Sequence, residues 1–182
     1  MTRTLLSLAS TVALTGGLVG ASMNAINGLI SPDYFRAVMG WRSVDAVWRS
    51  SIAQGAFEGL VYGALFAVIF TSVVGFIGGA RCSYARAARP LLHVAVVIYA
   101  SWALGGLASV ALALVGPEFF GRTFRGVPSE LSAMIRYAWV GGSIWGAMFG
   151  GLLGLSIGSA TFAARWRSDE RSGRLPEAPA AE

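Results

Sequence analysis

Lysine is absent from this sequence, cysteine and histidine occur once each, and charged residues make up only 13% of the chain. Each scarcity excludes something. The lone cysteine, Cys82, rules out an internal disulfide and any cysteine-based metal cluster. With His93 the only histidine, there is no His/Glu metal spacing and no Ser–His–acid set, so no catalytic activity, metal or cofactor is expected. A soluble domain would carry roughly 25% charged residues, and this chain falls far short of that.

What replaces charge is apolar sequence in long runs. Hydrophobic residues make up 55% of the 182 positions, and they cluster at about 5–30, 52–79, 91–115 and 133–163. A bilayer core takes about 20 apolar residues per helix, and only helices or closed barrels satisfy their backbone groups in lipid. Runs of this length are not strand-sized. The expected fold is all-α: a polytopic membrane protein with four transmembrane helices. The first run has features of a signal peptide, with Arg3 ahead of it and Gly20-Ala21-Ser22 as a cleavage-like triplet. It is longer than the usual 7–15-residue apolar region and has a counterpart later in the chain, so it is read as a retained span.

All 14 basic residues are arginine, giving a net charge of +5, and they sit between or beyond the apolar runs. They are read as topology signals and headgroup contacts, so the lipid bilayer is the expected partner and nucleic acid is not. The N-terminus, the 80–90 segment and the tail carry 8 arginines against 6 in the other two connections. Positive-inside bias then puts both termini in the cytoplasm, with the protein multi-pass in the cell (inner) membrane. Residues 81–90 read as a basic cytoplasmic loop and 166–182 as a charged, disordered tail.

Glycine is abundant, at 24 residues, and regularly placed. Gly142, Gly146, Gly150, Gly154 and Gly158 recur every fourth position, as do Gly55, Gly59 and Gly63 upstream. Residues four apart share one helix face, so each run is a bare groove that lets another backbone approach, the small-xxx-small mode of membrane packing. Such glycine zippers serve either to pack the four helices together or to drive assembly into a homo-oligomer or a larger membrane complex.

The chain also reads as two halves with one plan, residues 1–80 and 91–165. Ser31-Pro32-Asp33-Tyr34-Phe35 follows the first run and Gly116-Pro117-Glu118-Phe119-Phe120 the third, at an offset of 85. That offset lays Gly16, Gly20, Asn24 and Gly28 on Ser101, Gly105, Ser109 and Ala113. An offset of 87 lays Gly55, Gly59 and Gly63 on Gly142, Gly146 and Gly150. Two parallel helical-hairpin repeats, both entering from the same side, are expected. Ser31 followed by Pro32 predicts a short helix over 32–39, and Ser43 and Ser129 are the expected N-caps of the second and fourth long helices. Trp41, Trp48, Trp139 and Trp166 fall near span ends, where an aromatic belt is expected.

Glu58 is the one acid inside an expected span, and an ionisable group at membrane depth marks a paired site or a pathway. Gln54, Glu58 and Tyr62 are spaced by four beside the glycine stripe, and Asn24 and Asn27 fall at similar depth across the hairpin. These five form an expected polar cluster. One reading makes them hydrogen-bond glue between helices, the other a solute or proton site. The chain accordingly reads first as a non-catalytic scaffold or accessory subunit packed through glycine faces. The alternative is a small channel or transporter for a proton, ion or small polar solute, using Glu58 with Asn24 and Asn27. His93, Cys82, Asp33 and Glu118 are read as incidental or as supports of local structure.

Overall fold

The computed structural model describes residues 2–174. Six α-helices follow one another: α1 (Thr2–Ile30), α2 (Pro32–Val38), α3 (Val47–Gly78), α4 (Tyr84–Val115), α5 (Pro117–Thr123) and α6 (Leu131–Arg171). A single 3-10 turn (Gly79–Arg81) separates α3 from α4, and no strand occurs among the described residues. Helices α1, α3, α4 and α6 are long and apolar enough to cross a membrane. Their outer surfaces fit that solvent, with Phe76 91% and Val115 88% exposed. Unpaired apolar faces of this kind are a liability in water and the expected contact surface in hydrocarbon. The chain is a multi-pass membrane protein.

The long helices associate in pairs, α1 along α3 and α4 along α6, while the two pairs touch each other far less. Glycines stand at the closest approaches within each pair. A Cβ added at Gly16 or Gly20 would collide with the carbonyl oxygens of Gly59 and Gly55. Likewise, a Cβ at Gly142 or Gly146 would collide with the carbonyls of Gly105 and Ser101. Backbones this close gain dispersion and Cα–H···O contacts that a larger residue would abolish.

Between the pairs, two apolar clusters close the ends of the bundle. Tyr34, Phe35, Phe120 and Tyr137 are at the heart of one, where α2 and α5 fold back onto the long helices. Leu8, Phe70, Phe162 and Trp166 form the other, near the chain termini. Two close approaches join the hairpins along their length. The Tyr34 ring lies over Gly141, where a Cβ would be 3.2 Å from Cε2, and the Phe66 ring lies over Gly151 at 2.8 Å.

Helix α2 starts as its sequence predicts: Pro32 takes the first helical position and the Ser31 hydroxyl accepts from Tyr34 N at 3.3 Å. The longer helices begin elsewhere than expected. Ala46 and Glu130, not Ser43 and Ser129, are the N-caps, and neither makes a side-chain capping bond. Ser43 falls within a turn closed by Val44 N to the Trp41 carbonyl. The Glu130 carboxylate takes a hydrogen bond from the Ser132 hydroxyl instead of capping the backbone.

The expected basic loop over 81–90 is mostly helix. After the 3-10 turn, α4 begins at Tyr84 and carries Pro90 within it, fully buried and facing Gly158. An internal proline removes one backbone hydrogen bond, and here its burial against α6 offsets that loss. The expected tail is also ordered as far as α6 extends. Residues 166–171 continue the helix because Trp166 is 2% exposed beneath the guanidinium groups of Arg81 and Arg86. The Arg81–Glu170 and Arg86–Asp169 pairs, at 3.2 and 3.7 Å, bracket that contact. The rest of the expected tail, 175–182, lies outside the described residues. Trp166 therefore belongs to the core, not to an aromatic belt, and Trp139 packs against Gly106 between α4 and α6. At 41 residues, α6 would extend roughly 62 Å at 1.5 Å per residue, far beyond the ~30 Å hydrocarbon core. It must tilt or project.

Candidate functional site

Sparse contact between the hairpins leaves a cavity of about 220 Å³ at mid-bundle. Its walls come from the middle of all four long helices, and α2 supplies Tyr34 and Phe35. Of the five residues expected to cluster, Asn24, Asn27, Glu58 and Tyr62 line it. Gln54 stands behind, where its amide donates to Glu58 Oε1 at 2.7 Å. One helical turn separates the two, the spacing at which side chains on one helix face meet.

The asparagines do not bind Glu58. Asn27 Nδ2 donates to Asn24 Oδ1 at 3.5 Å, and Asn27 Oδ1 accepts from the Ser143 hydroxyl on α6 at 3.1 Å. The Asn24 carbonyl takes a bond from the Ser51 hydroxyl at 3.1 Å, tying α1 to α3. Both asparagines are buried, Asn27 completely. They brace helices against one another, while the carboxylate is held by a neighbour on its own helix. The expected cluster is thus two adjoining groups on one cavity wall.

Three further residues enter the site. Tyr34 packs against Tyr137 with ring centroids 5.0 Å apart. Burial, with Tyr137 and the Glu58 carboxylate adding to it, pushes its phenol up to about 12, so it stays neutral at physiological pH. Ser143 supplies the hydroxyl that reaches Asn27. Trp102 forms part of the wall, and its indole Nε1 is buried without a hydrogen-bond partner among the described residues. Sequence offered little to flag these three. Tyr34 sits inside a loop marker, Ser143 sits within a glycine run, and nothing local distinguishes Trp102 from a lipid-facing tryptophan.

The remaining residues of interest lie elsewhere. His93 is exposed on α4, away from the cavity. Asp33 pairs with Arg36 at 3.2 Å and Glu118 with Arg122 at 3.6 Å, both within their own short helices. Cys82 is 7% exposed, and burial raises its thiol above the ordinary range although Arg86 acts in the opposite direction. The basic neighbourhood therefore does not make it a reactive thiolate. Among the described residues, no three His, Cys, Asp or Glu side chains come together as metal ligands would.

In electrostatic terms the cavity is one-sided. Among the described residues Glu58 is its only acid and no arginine or histidine lines it, and the chain has no lysine. Compared with known proteins, the chain matches no family model, no curated protein and no solved structure.

Proposed function

We propose that this protein is a small, non-catalytic membrane transporter that carries a solute through the cavity between its two hairpins, with Glu58 as the anchoring group. The observation that carries the reading is a carboxylate facing a membrane cavity with an amide, and no cation, as its partner. An ionisable side chain within a membrane-spanning helix is costly and is kept where it serves a pathway or a paired site. The scaffold reading drew on the glycine faces as free packing surface. Those faces meet one another between α1 and α3 and between α4 and α6.

In this reading the glycine runs are intramolecular zippers and the hairpins are parallel repeats. Support comes from the coincidence of contacts with the sequence offsets. Gly16 meets Gly59 as Ser101 meets Gly146, and Gly20 meets Gly55 as Gly105 meets Gly142. Asn24 lies against Gly55 as Ser109 lies against Gly142. The excess of arginine in the N-terminus, the 80–90 segment and the tail supports a reading with both termini in the cytoplasm and the protein in the inner membrane, which would turn α2 and α5 to the opposite side. A phosphatase fused after Glu182 that proved active outside the cytoplasm would reverse that orientation.

The functional reading is tested in proteoliposomes, by following dye-reported movement of protons, monovalent metal cations and small ammonium compounds. The expected result is flux of at least one of these that empty liposomes lack and that Glu58→Gln abolishes while the variant stays folded. Wild-type protein with no flux above empty liposomes for the whole panel would remove the transporter reading.

A further inference from the structure

Resting on that reading, we propose that the cavity takes a small organic cation with an apolar body, its charged head against Glu58 and its body toward the opposite end of the cavity. The lining is graded along the helices. Asn24, Asn27, Tyr34 and Glu58 lie toward the α2 end, whereas Val12, Phe66, Leu91 and Val94 line the end toward the chain termini. The order follows from the chain direction, since α1 and α4 run toward α2 and α5 while α3 and α6 run back.

Charge selects the head group. The cavity offers one carboxylate, whose Oε1 is held by Gln54 and whose Oε2 has no hydrogen bond among the described residues. Among the described residues no basic side chain lines the walls, so an anion would meet an uncompensated repulsion. Five aromatic side chains, Tyr34, Phe35, Tyr62, Phe66 and Trp102, are among the lining residues, and aromatic rings attract cations, quaternary ammonium groups above all. Tyr34 remains a neutral ring because its phenol is held far above physiological pH.

The same walls discriminate against a bare divalent calcium or magnesium ion. Calcium needs six to eight oxygen ligands and magnesium near-ideal octahedral oxygen geometry, and this lining is dominated by Val, Ile, Met, Gly and aromatic side chains. Size sets the body. A cavity of ~150 Å³ holds benzene, and about 220 Å³ therefore suits a ligand of roughly ten non-hydrogen atoms.

Purified protein in detergent tests this with three probes of similar shape: benzyltrimethylammonium, the neutral neopentylbenzene and the anionic 3-phenylpropionate. Binding is read by calorimetry and by tryptophan fluorescence, since Trp102 is in the wall. The expected result is that the ammonium probe binds at least tenfold more tightly than the other two. Glu58→Gln should remove that preference while leaving the weak binding of neopentylbenzene unchanged. Glu58→Asp, which keeps the charge, should retain it, and this also covers the case in which the Gln variant fails to fold. Ala147→Phe, which fills the cavity, should abolish binding of every probe in protein that remains helical and monodisperse. Equal affinity for the neutral or anionic probe, or an ammonium affinity that Glu58→Gln leaves unchanged, would overturn the cation assignment and leave a solute cavity standing. No binding of any probe would overturn the assignment, while the transporter reading stands or falls with the flux measurement.

Discussion

The hydroxyl of Ser143 on α6 donates to Oδ1 of Asn27 on α1 at 3.1 Å, joining residues 116 positions apart across the two hairpins. The same hydroxyl lies 3.0 Å from the Val140 carbonyl, so its proton is shared with its own helix. Both side chains are fully buried, and the bond forms where the hairpins otherwise touch sparsely.

Ser143→Ala is therefore expected to destabilise the protein by about 1 kcal/mol, because it strands one acceptor of a buried amide. Interhelical hydrogen bonds in membranes average about 0.6 kcal/mol and reach about 1.7, so the change should be modest but measurable. A double-mutant cycle with Asn27→Leu in SDS unfolding checks it. The two changes should fall short of additivity, and strict additivity would mean that the bond contributes nothing to holding the hairpins together.

The glycine faces predict a much larger effect from a change of another kind. A Cβ at Gly146 would meet the Ser101 carbonyl and, at 3.1 Å, Gly105 Cα. Backbone atoms cannot rotate aside as a side chain can. Overpacking a core costs about 1–3 kcal/mol where side chains can yield, and Gly146→Leu should exceed that range and separate α4 from α6. Leu152→Ala with Leu153→Ala, at positions more than half exposed on the outer face, should shift unfolding far less. Comparable losses for the two variants would show that α4 and α6 do not depend on their close approach.

Much of this arrangement was legible in the sequence, and the reason is local. A run of small residues at spacing four marks a helix face whatever packs on it, and Ser31 before Pro32 writes a cap and a first turn into adjacent positions. Hairpin partners are near in sequence and short connections bring them together. The cavity was not legible, because it depends on how two finished hairpins dock. That docking rests on Tyr34 over Gly141, Phe66 over Gly151 and Ser143 on Asn27. Each contact joins distant positions through residues whose local context is ordinary. The same holds for Glu58: its spacing from Gln54 was visible, but whether it would turn toward the asparagines or into open space was not. Where the sequence reading placed loop or tail, at 81–90 and 166–171, α4 and α6 continue because they brace each other.

Tyr34 gives the site a pH signature. Its phenol titrates near 12 in the folded protein and near 10 in an unfolded chain. Between those values the unfolded state holds fewer protons than the folded one, so stability falls as pH rises. The contribution is complete below about pH 10 and is lost as pH passes through about 12. Wild-type protein should therefore lose stability more steeply than Tyr34→Phe across that window, and the two should run parallel below it. Parallel curves throughout would place the Tyr34 hydroxyl in water.

The last prediction weighs aromatic burial against charge where α6 meets the start of α4. Trp166 is 2% exposed, with the Arg81 and Arg86 guanidinium carbons 6.0 and 5.7 Å from its ring centroid. Those arginines also pair with Glu170 and Asp169. Either the ion pairs hold the end of α6 in place or the indole does. Removing a buried tryptophan side chain costs about 3–5 kcal/mol, whereas partly exposed ion pairs contribute about 0–1 kcal/mol each. Trp166→Ala should therefore destabilise the protein strongly and open residues 79–87 to protease from the side that carries the termini. Asp169→Asn combined with Glu170→Gln should cost about 1–2 kcal/mol at most, from those same pair values, and leave the segment protected. Truncation after Arg165 should match Trp166→Ala. If the charge variant opened the segment and the tryptophan variant did not, the ion pairs would be the fastening and the indole a passenger.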